Sequence, residues 1–368
     1  MAAGGIRIAQ ARACGACLSR GWLLAAISGH LDNVRARIGE LLELGDDELI
    51  DAVAGERAAD IRDRLGRFDP ESMLERVRDA GLEAICRCDP GYPKRLASMP
   101  GPPAALYVGG GLDPCLSLLG ADPVAIVGAR RASAYGLDVA RSLARGVVSS
   151  GVTVVSGLAM GVDSAAHEGA LASGGRTIAV LPGGAERAYP ASKRSLHRRI
   201  AQTGAVLSEI PPGADIRRWM FPARNRIIAA LSAVTVVVEA GDRSGALVTA
   251  RAAHQLGRPV GAVPGRVTAP HSAGPNALLA AGARVIRGPQ DVLDAIYGDG
   301  VRRAAADARP ELDDPQSALL RAVASGRDTI EALVRAGFEP DRLLTALASL
   351  ELDGYVRRGL GGRFAVVP

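Results

Sequence analysis

The sequence predicts an α/β protein in which a doubly wound, mainly parallel sheet lies between an N-terminal helical domain and a small C-terminal module. Three observations predict this fold class. From Pro123 onward, short runs of Val, Ala and Ile alternate with amphipathic helical stretches, as in parallel sheets with helices on both faces. These runs lack polar alternation, which is typical of strands buried on both sides. The 45 glycines suit the many tight turns between strands and helices.

The order of elements follows from these alternating runs. A Pro- and Gly-rich connection over residues 89–111 ends in a short strand at 105–108. The strands predicted after it comprise residues 124–127, 152–155, 177–181, 205–208, 234–238, 260–263 and 283–286. The helices between and after them comprise residues 136–149, 161–172, 192–202, a helix from about Ala223, then 244–256, 276–281 and 289–296.

The regions before and after the predicted sheet lack its alternation of strands and helices. The first is helical, and Asp69 followed by Pro70 is typical of a capped helix start. In the last, three helical segments precede two extended segments joined by a Gly-rich turn, which is the order of a winged helix. The domains that we predict are residues 1–85 (helical), 86–300 (sheet), 301–313 (linker) and 314–368 (winged helix).

Composition and charge limit the classes of protein to which the chain could belong. The chain of 368 residues has a net charge of +5, from 44 basic and 39 acidic residues, which permits a polyanionic partner. No apolar run reaches the roughly 18 residues of a membrane helix, and the N-terminus does not have the pattern of a signal peptide. We therefore expect a cytoplasmic protein that does not enter a membrane.

Four of the five cysteines form two short motifs. Cys14 and Cys17 make a C-x-x-C, and Cys86 and Cys88 make a C-x-C. Four thiolates could hold zinc, but the two motifs are far apart in sequence and the second spacing is unusual for zinc sites. We therefore expect buried, reduced cysteines and no metal site.

The segment Phe221-Pro-Ala-Arg-Asn-Arg combines an aromatic ring with cations. It contains one of only four phenylalanines, and Arg217 and Arg218 come just before it. A planar ring stacks on any nucleobase, and guanidinium groups pair with phosphate oxygens in a forked geometry. A helix start with a buried Phe and solvated arginines explains the segment equally well. Arg224 and Arg226 are two residues apart and point to different faces of a helix, so we expect Arg224 at a ligand and Arg226 beside an acidic neighbour.

Residues directly after the strands carry the rest of the predicted site. In doubly wound sheets, ligands bind outside the carboxyl ends of the strands, and helix N-termini there attract anions. Three Gly-containing loops of this chain occupy such positions, and together they suggest an extended anion-binding edge. Each glycine alone could serve a tight turn, and Arg130 could be a solvated surface residue. The predicted DNA contacts are Gly128, Arg130, Ser133, Ser156, Gly157, Arg217, Arg218, Phe221, Arg224, Asn225, Ser244 and Gly245.

Asp163 and His167 are four residues apart and share a face of one predicted helix. They could form a catalytic or metal-binding pair. With no second His or Cys nearby in sequence, a structural, hydrogen-bonded pair is the better interpretation.

Several motifs, taken in order, resemble the DprA/Smf family of DNA-processing proteins. They include VAIVGAR at 124–130, SGLAMGVDSAAH at 156–167, FPARNRIIA at 221–229 and RSGALVTA at 243–250. The resemblance covers roughly residues 89 to 297, and a series of motifs of this length is highly specific.

The resemblance implies an extended Rossmann-like domain that binds single-stranded DNA without strong sequence preference, and it implies neither catalysis nor a cofactor. It also implies a homodimer that protects incoming single strands and helps to load the RecA recombinase during natural transformation. Carried over by motif, Arg130 is the phosphate-binding arginine, Arg217 or Arg218 the basic residue before the aromatic, and Phe221 the base-stacking ring. Members of the family carry winged helices and N-terminal helical modules of the SAM-like type.

The sequence departs from the family in two places. The loop after the third strand contains Pro182-Gly183-Gly184, where many relatives have Gly-Thr-Gly. The N-terminal region has no clear helix-hairpin-helix motif, which argues against a DNA role there.

Two enzyme classes are the alternatives. Phosphoribohydrolases that resemble lysine decarboxylases carry Pro-Gly-Gly-x-Gly-Thr, but here Pro182-Gly183-Gly184 continues with Ala185-Glu186, so the motif is broken. A dinucleotide-dependent oxidoreductase would need an intact G-x-G-x-x-G after a strand, with an acidic residue about 20 positions on. No strand of this chain provides both.

Overall fold

The computed structural model describes residues 12–34, 38–305 and 309–367. By its internal contacts the chain divides into two units, Met1–Ala304 and Ala305–Pro368. The helical N-terminal region and the sheet lie in the same unit. The winged-helix segment forms the second unit.

A nine-stranded sheet organises the first unit. Its strands are β1 (Glu83–Cys86), β2 (Ala105–Gly109), β3 (Val124–Val127), β4 (Val154–Ser156), β5 (Thr177–Val180), β6 (Ala205–Ser208), β7 (Val234–Val237), β8 (Val260–Ala262) and β9 (Arg284–Val285). Their spatial order is β1-β2-β6-β5-β4-β3-β7-β8-β9. All neighbours from β6 to β9 pair in parallel, whereas β2 runs antiparallel to β6 and β1 antiparallel to β2. The prediction of a mainly parallel sheet is confirmed.

Helices cover both faces of this sheet. They are α7 (Lys94–Ala97), α8 (Leu112–Leu119), α9 (Ala134–Ser149), α10 (Val162–Ala172), α11 (Arg194–Thr203), α12 (Met220–Leu231), α13 (Gly245–Gln255), α14 (Ala273–Ala280) and α15 (Pro289–Tyr297). Successive residues of β3 serve opposite faces, since Ala125 and Val127 pack in the layer of α12 and α13, and Val124 and Ile126 in that of α9, α10 and α15. The apolar runs thus mark strands buried on both sides.

The N-terminal region consists of α1 (Gly15–Ala26), α2 (Ser28–Asn33), α3 (Ile38–Glu43), α4 (Asp46–Val53), α5 (Ala58–Gly66) and α6 (Pro70–Asp79). As predicted, Asp69 caps α6 and Pro70 begins it. The helical prediction for residues up to 85 is wrong at its end, because Glu83–Cys86 forms β1. Apolar residues of these helices pack against the segment that begins α12, including fully buried Trp219.

The second unit has α16 (Asp314–Ala324), α17 (Ile330–Arg335) and α18 (Pro340–Leu352), then an antiparallel hairpin of β10 (Val356–Arg358) and β11 (Phe364–Val366). Asp313 caps α16 through a reciprocal bond with Gln316. Leu333, Leu347 and Phe364 belong to a core of this unit's own. The predicted winged helix is therefore present. In the part of the chain that the structure describes, no helix has the length and apolar character needed to cross a bilayer.

Candidate nucleic-acid interface

Phe221 lies in the first turn of α12, beside the carboxyl ends of the parallel strands. The helix begins at Met220, three residues before the predicted start at Ala223. Trp219 fixes this start, because its backbone N–H donates to Asp32 at 2.9 Å and its indole N–H donates to Ser28 at 2.9 Å. The direction in which the Phe221 ring points is thus set by the contact between α12 and the N-terminal helices.

The Phe221 ring is half-buried and has a cation and a second ring beside it. The guanidinium carbon of Arg130 is 5.3 Å from the ring centroid, within the range of cation–π attraction. The Tyr189 ring centroid is 5.4 Å away, with an angle of 61° between the planes. Arg130 and Phe221, 91 positions apart in sequence, therefore meet in space as the strand-end argument predicted.

Tyr189 was not among the predicted site residues. It is 39% exposed and touches Phe221 by an edge-to-face contact. The signal that could have found it is its place in the loop after β5, since that strand ends at the same edge of the sheet as β3.

A cavity of about 370 Å³ opens beside this ring. Gly128, directly after β3, lets the walls approach closely: a Cβ there would lie 2.6 Å from Val162 Cγ2 and 2.8 Å from the Glu239 carbonyl oxygen. The cavity brings together eight of the predicted or discussed residues: Gly128, Arg130, Asp163, Phe221, Arg224, Asn225, Ser244 and Gly245.

Arg224 contributes to the lining of the cavity. Its side chain is buried, with its Nη1 donating to the carbonyl oxygens of Gly157 at 2.6 Å and Val180 at 2.7 Å. Burial lowers the pKa of this guanidinium to about 10, so it remains charged near neutral pH. Its Nε donates to Asn225 Oδ1 at 3.1 Å, so Nε and Nη1 hold neighbouring segments in place, while the side chain also lines the cavity. A contact of Arg224 with a ligand stays a prediction.

Arg226 makes the ion pair that the sequence predicted. Its Nη2 lies 2.5 Å from Glu209 Oε1 and its Nη1 donates to the Gly101 carbonyl at 2.5 Å. Both charged side chains are largely buried. Arg226 therefore fastens α12 to the connections around β2 and β6.

The hydroxyl and the backbone N–H of Ser133 are hydrogen-bonded to a carboxylate of the protein itself. Its hydroxyl donates to Glu239 Oε1 at 2.5 Å, its backbone N–H donates to Glu239 Oε2 at 2.8 Å, and it caps α9 by accepting from Gly136. The carboxylate of Glu239 thus sits where a phosphate was expected, at the N-terminus of α9. The Ser133 hydroxyl thus already has protein partners, and its contact with DNA stays a prediction.

Ser156 and Gly157 form an inner wall. Ser156 is fully buried and its hydroxyl donates to the Ile126 carbonyl at 2.7 Å. The buried Gly157 N–H donates to Asp163 Oδ2 at 3.2 Å. Both residues are buried, and their contact with DNA stays a prediction.

Asp163 and His167 do not pair with each other. His167 is fully buried, and its Nδ1 lies 2.7 Å from the Thr177 hydroxyl, which itself donates to the Val154 carbonyl. Nδ1 therefore carries the proton in this arrangement. Burial lowers the pKa of His167 to about 3 and raises the pKa of Asp163. The hydrogen-bonded pair favoured by the sequence is therefore not formed, and each side chain is held by its own partner.

The remaining predicted residues lie at the rim. Arg130, Arg217 and Arg218 are exposed, and the described residues offer no ion-pair partner to any of the three. Ser244 caps α13 by accepting from Ala246, and Asn225 donates to the Gly245 carbonyl at 3.2 Å. The outer layer of the site is thus an aromatic ring with free cations around it.

The chain thus combines a mainly parallel sheet, a ring-and-cation site at its strand ends and a winged helix that follows in sequence. The comparisons identify it further. Residues 83–297 match the family "DNA recombination-mediator protein A", and residues 303–362 match the "DprA winged helix domain". The chain belongs to the DprA/Smf family, which confirms the resemblance seen in the sequence.

Comparisons with individual relatives agree with this family assignment. A DNA processing protein DprA of Mycobacterium tuberculosis is 44% identical over 238 residues, which is 62% of this chain and 61% of that protein. The match thus spans about three fifths of the relative's length. DprA of Streptococcus pneumoniae has a similar structure, with a TM-score of 0.62 at 32% identity over 76% of this chain and 96% of that one. The DNA processing protein A of Helicobacter pylori, described by its single-stranded DNA binding mode, gives a TM-score of 0.51 at 34% identity over 55% and 91%.

Proposed function

We propose that this chain binds single-stranded DNA at the Phe221 site and acts as a recombination mediator rather than as an enzyme. The observation that carries the proposal is the partly exposed Phe221 ring, which has the Arg130 guanidinium and the Tyr189 ring beside it at the strand-end edge. A base stacks on such a ring whatever its sequence, and the exposed arginines offer forked donors to the phosphates on either side.

The side chains of the outer layer support binding without strong sequence preference. Arginines and aromatic rings predominate among the described rim residues, and such groups contact phosphates and π-faces. The amide of Asn225, which could read a base edge, is turned to the Gly245 carbonyl.

The buried layer supports a non-catalytic role. His167, whose pKa is about 3, is neutral near pH 7 and out of reach of a substrate, and Arg224 is held by two carbonyls. Glu186, which follows the broken Pro-Gly-Gly motif, accepts from the Gly213 N–H at 2.9 Å. The candidate acids and bases of the phosphoribohydrolase alternative are thus used in holding loops.

The finer role rests on membership of the family. We propose that the protein protects incoming single strands in the cytoplasm, works as a homodimer and helps to load RecA during transformation or DNA processing. The predicted domain limits at residues 300 and 313 belong to the same proposal, whereas the limit predicted at residue 85 falls inside β1.

Phe221→Ala tests the site. We expect affinity for a fluorescent oligothymidylate, measured by anisotropy at modest salt, to fall by about 1–3 kcal/mol, because one stacked base loses its partner. Phe221→Trp is the matched control and should keep most of the affinity, since it retains a π-face. Thermal unfolding of both variants shows whether the fold is intact.

Two results would count against the proposal. Equal affinity of Phe221→Ala and the unaltered protein would remove the ring from the site. Turnover of a nucleoside monophosphate, with no oligonucleotide binding, would favour the phosphoribohydrolase alternative.

A further inference from the structure

The cysteine motifs that lie far apart in sequence meet in space. The sulfur atoms of Cys14, Cys17, Cys86 and Cys88 all lie within 4.8 Å of one another. Cys17 Sγ is 3.7 Å from Cys88 Sγ, and Cys86 Sγ is 3.8 Å from Cys14 Sγ. The expectation of buried cysteines is wrong for Cys14 and Cys88, which are exposed.

We propose that these four cysteines bind a structural zinc ion. A tetrahedral site with zinc–sulfur bonds of about 2.3 Å has sulfur–sulfur edges of about 3.8 Å. The two measured separations match this edge. Four thiolates at tetrahedral spacing are the donor set of closed, structural zinc sites.

Local structure holds both halves of the site in place. Cys14 is the N-cap of α1 and Cys17 lies in its first turn, where the helix dipole favours thiolates. Cys86 ends β1, and its backbone N–H donates to the Arg12 carbonyl at 2.9 Å. The Cys14 N–H points at Cys86 Sγ at 3.4 Å, as backbone donors do around metal-bound sulfur.

The same geometry disfavours the other uses of four cysteines. A disulfide needs sulfur atoms about 2.05 Å apart, and here the two close pairs are each nearly twice as far. An iron–sulfur cluster places several iron and sulfide ions between its thiolates, and sulfur atoms this close leave room for one ion only.

The site would close a long loop. Its ligands bracket helices α1 to α6, so one ion ties the beginning of this helical region to the edge strand β1. A cross-link between distant segments stabilises a fold by restricting the unfolded chain. This role is independent of whether the Phe221 site binds DNA.

Metal analysis of the full-length protein, purified under reducing conditions, is the direct test. We expect about one zinc per chain for the unaltered protein and less than about a tenth of that for Cys88→Ser. Cys115→Ser is the matched control, because Cys115 is buried on α8 outside the cluster and should leave the zinc content unchanged.

Cobalt provides a second readout in case Cys88→Ser fails to fold. Unaltered protein, stripped of metal and reduced, should take up about one equivalent of Co²⁺ and develop the thiolate charge-transfer and tetrahedral absorption bands of a four-sulfur site. Protein without zinc that also gives no such spectrum would overturn the proposal. So would disulfides among these four cysteines in freshly isolated protein, iron in place of zinc, or equal zinc loss in Cys115→Ser.

Discussion

The arginines at the Phe221 site fall into an outer and a buried set, although they are close in sequence. Arg217 and Arg218 precede α12 and are exposed, while Arg224 and Arg226 lie within it and are bound to protein groups. Nε and Nη1 of Arg224 and both terminal nitrogens of Arg226 are thus held by protein groups. Burial, more than residue type, therefore decides which cation is offered to a ligand.

The two buried arginines fix the position of α12, and thereby that of the exposed arginines just before it. Arg224 joins the Gly157 loop after β4 to the end of β5, and Arg226 ties the next turn of the helix to Glu209. A stacking ring gains affinity when its position is fixed before the ligand arrives. The two sets thus make different predictions: changes in the buried set act on stability, and changes in the outer set act on DNA affinity.

Arg224→Met should have the largest effect. It leaves the Gly157 and Val180 carbonyls without a donor and removes the cation near buried Asp163, so we expect the free energy of unfolding to fall by about 3 kcal/mol. Urea denaturation measures this. Arg224→Lys, which keeps the charge and one donor group, should lose less. A stable Arg224→Met protein with greatly reduced DNA affinity would instead place Arg224 among the ligand contacts.

The buried side chain of His167 should make the stability of the protein depend on pH. Its pKa is about 3 in the folded protein and 6.5 in the unfolded chain, so below pH 6.5 only the unfolded state takes up the proton. Stability should therefore fall with decreasing pH, by about 2 kcal/mol between pH 8 and pH 5. His167→Asn, whose amide can still donate to Thr177, should lack this component. Parallel pH profiles of unfolding for the two proteins would show that His167 does not titrate in this way.

Local pattern was enough to predict most of the sheet. The bounds of β3 and β6 agree with the prediction because each is an apolar run between turn residues. β1 was missed because this strand has only four residues, Glu-Ala-Ile-Cys, and becomes a strand by pairing with β2. The start of α12 was misplaced because Trp219 anchors it through contacts with α2, which no local pattern reveals.

The site was predictable to the extent that it depends on sheet topology. Arg130 and Phe221 meet because both follow strands that end at one edge. Whether an arginine there is exposed or buried depends on packing from several segments, so the burial of Arg224 could not be predicted from the sequence. The cysteine cluster depends on the pairing of Arg12 beside Ile85, which brings together segments that the sequence separates widely.

Arg217→Ala and Arg218→Ala should have the smallest effects and belong wholly to the outer set. Each phosphate contact that is lost should lower the slope of log affinity against log salt by about 0.7 for single strands, with unchanged stability. Titrations at several salt concentrations, with an oligothymidylate and a mixed sequence, measure the slope. Arg284→Ala on β9, at the far edge of the sheet, is the matched control and should leave it unchanged. If the salt dependence of both variants equals that of the unaltered protein while their stability falls, Arg217 and Arg218 act as part of the fold. The division into exposed, DNA-binding arginines and buried, stabilising arginines would then be wrong for the exposed set.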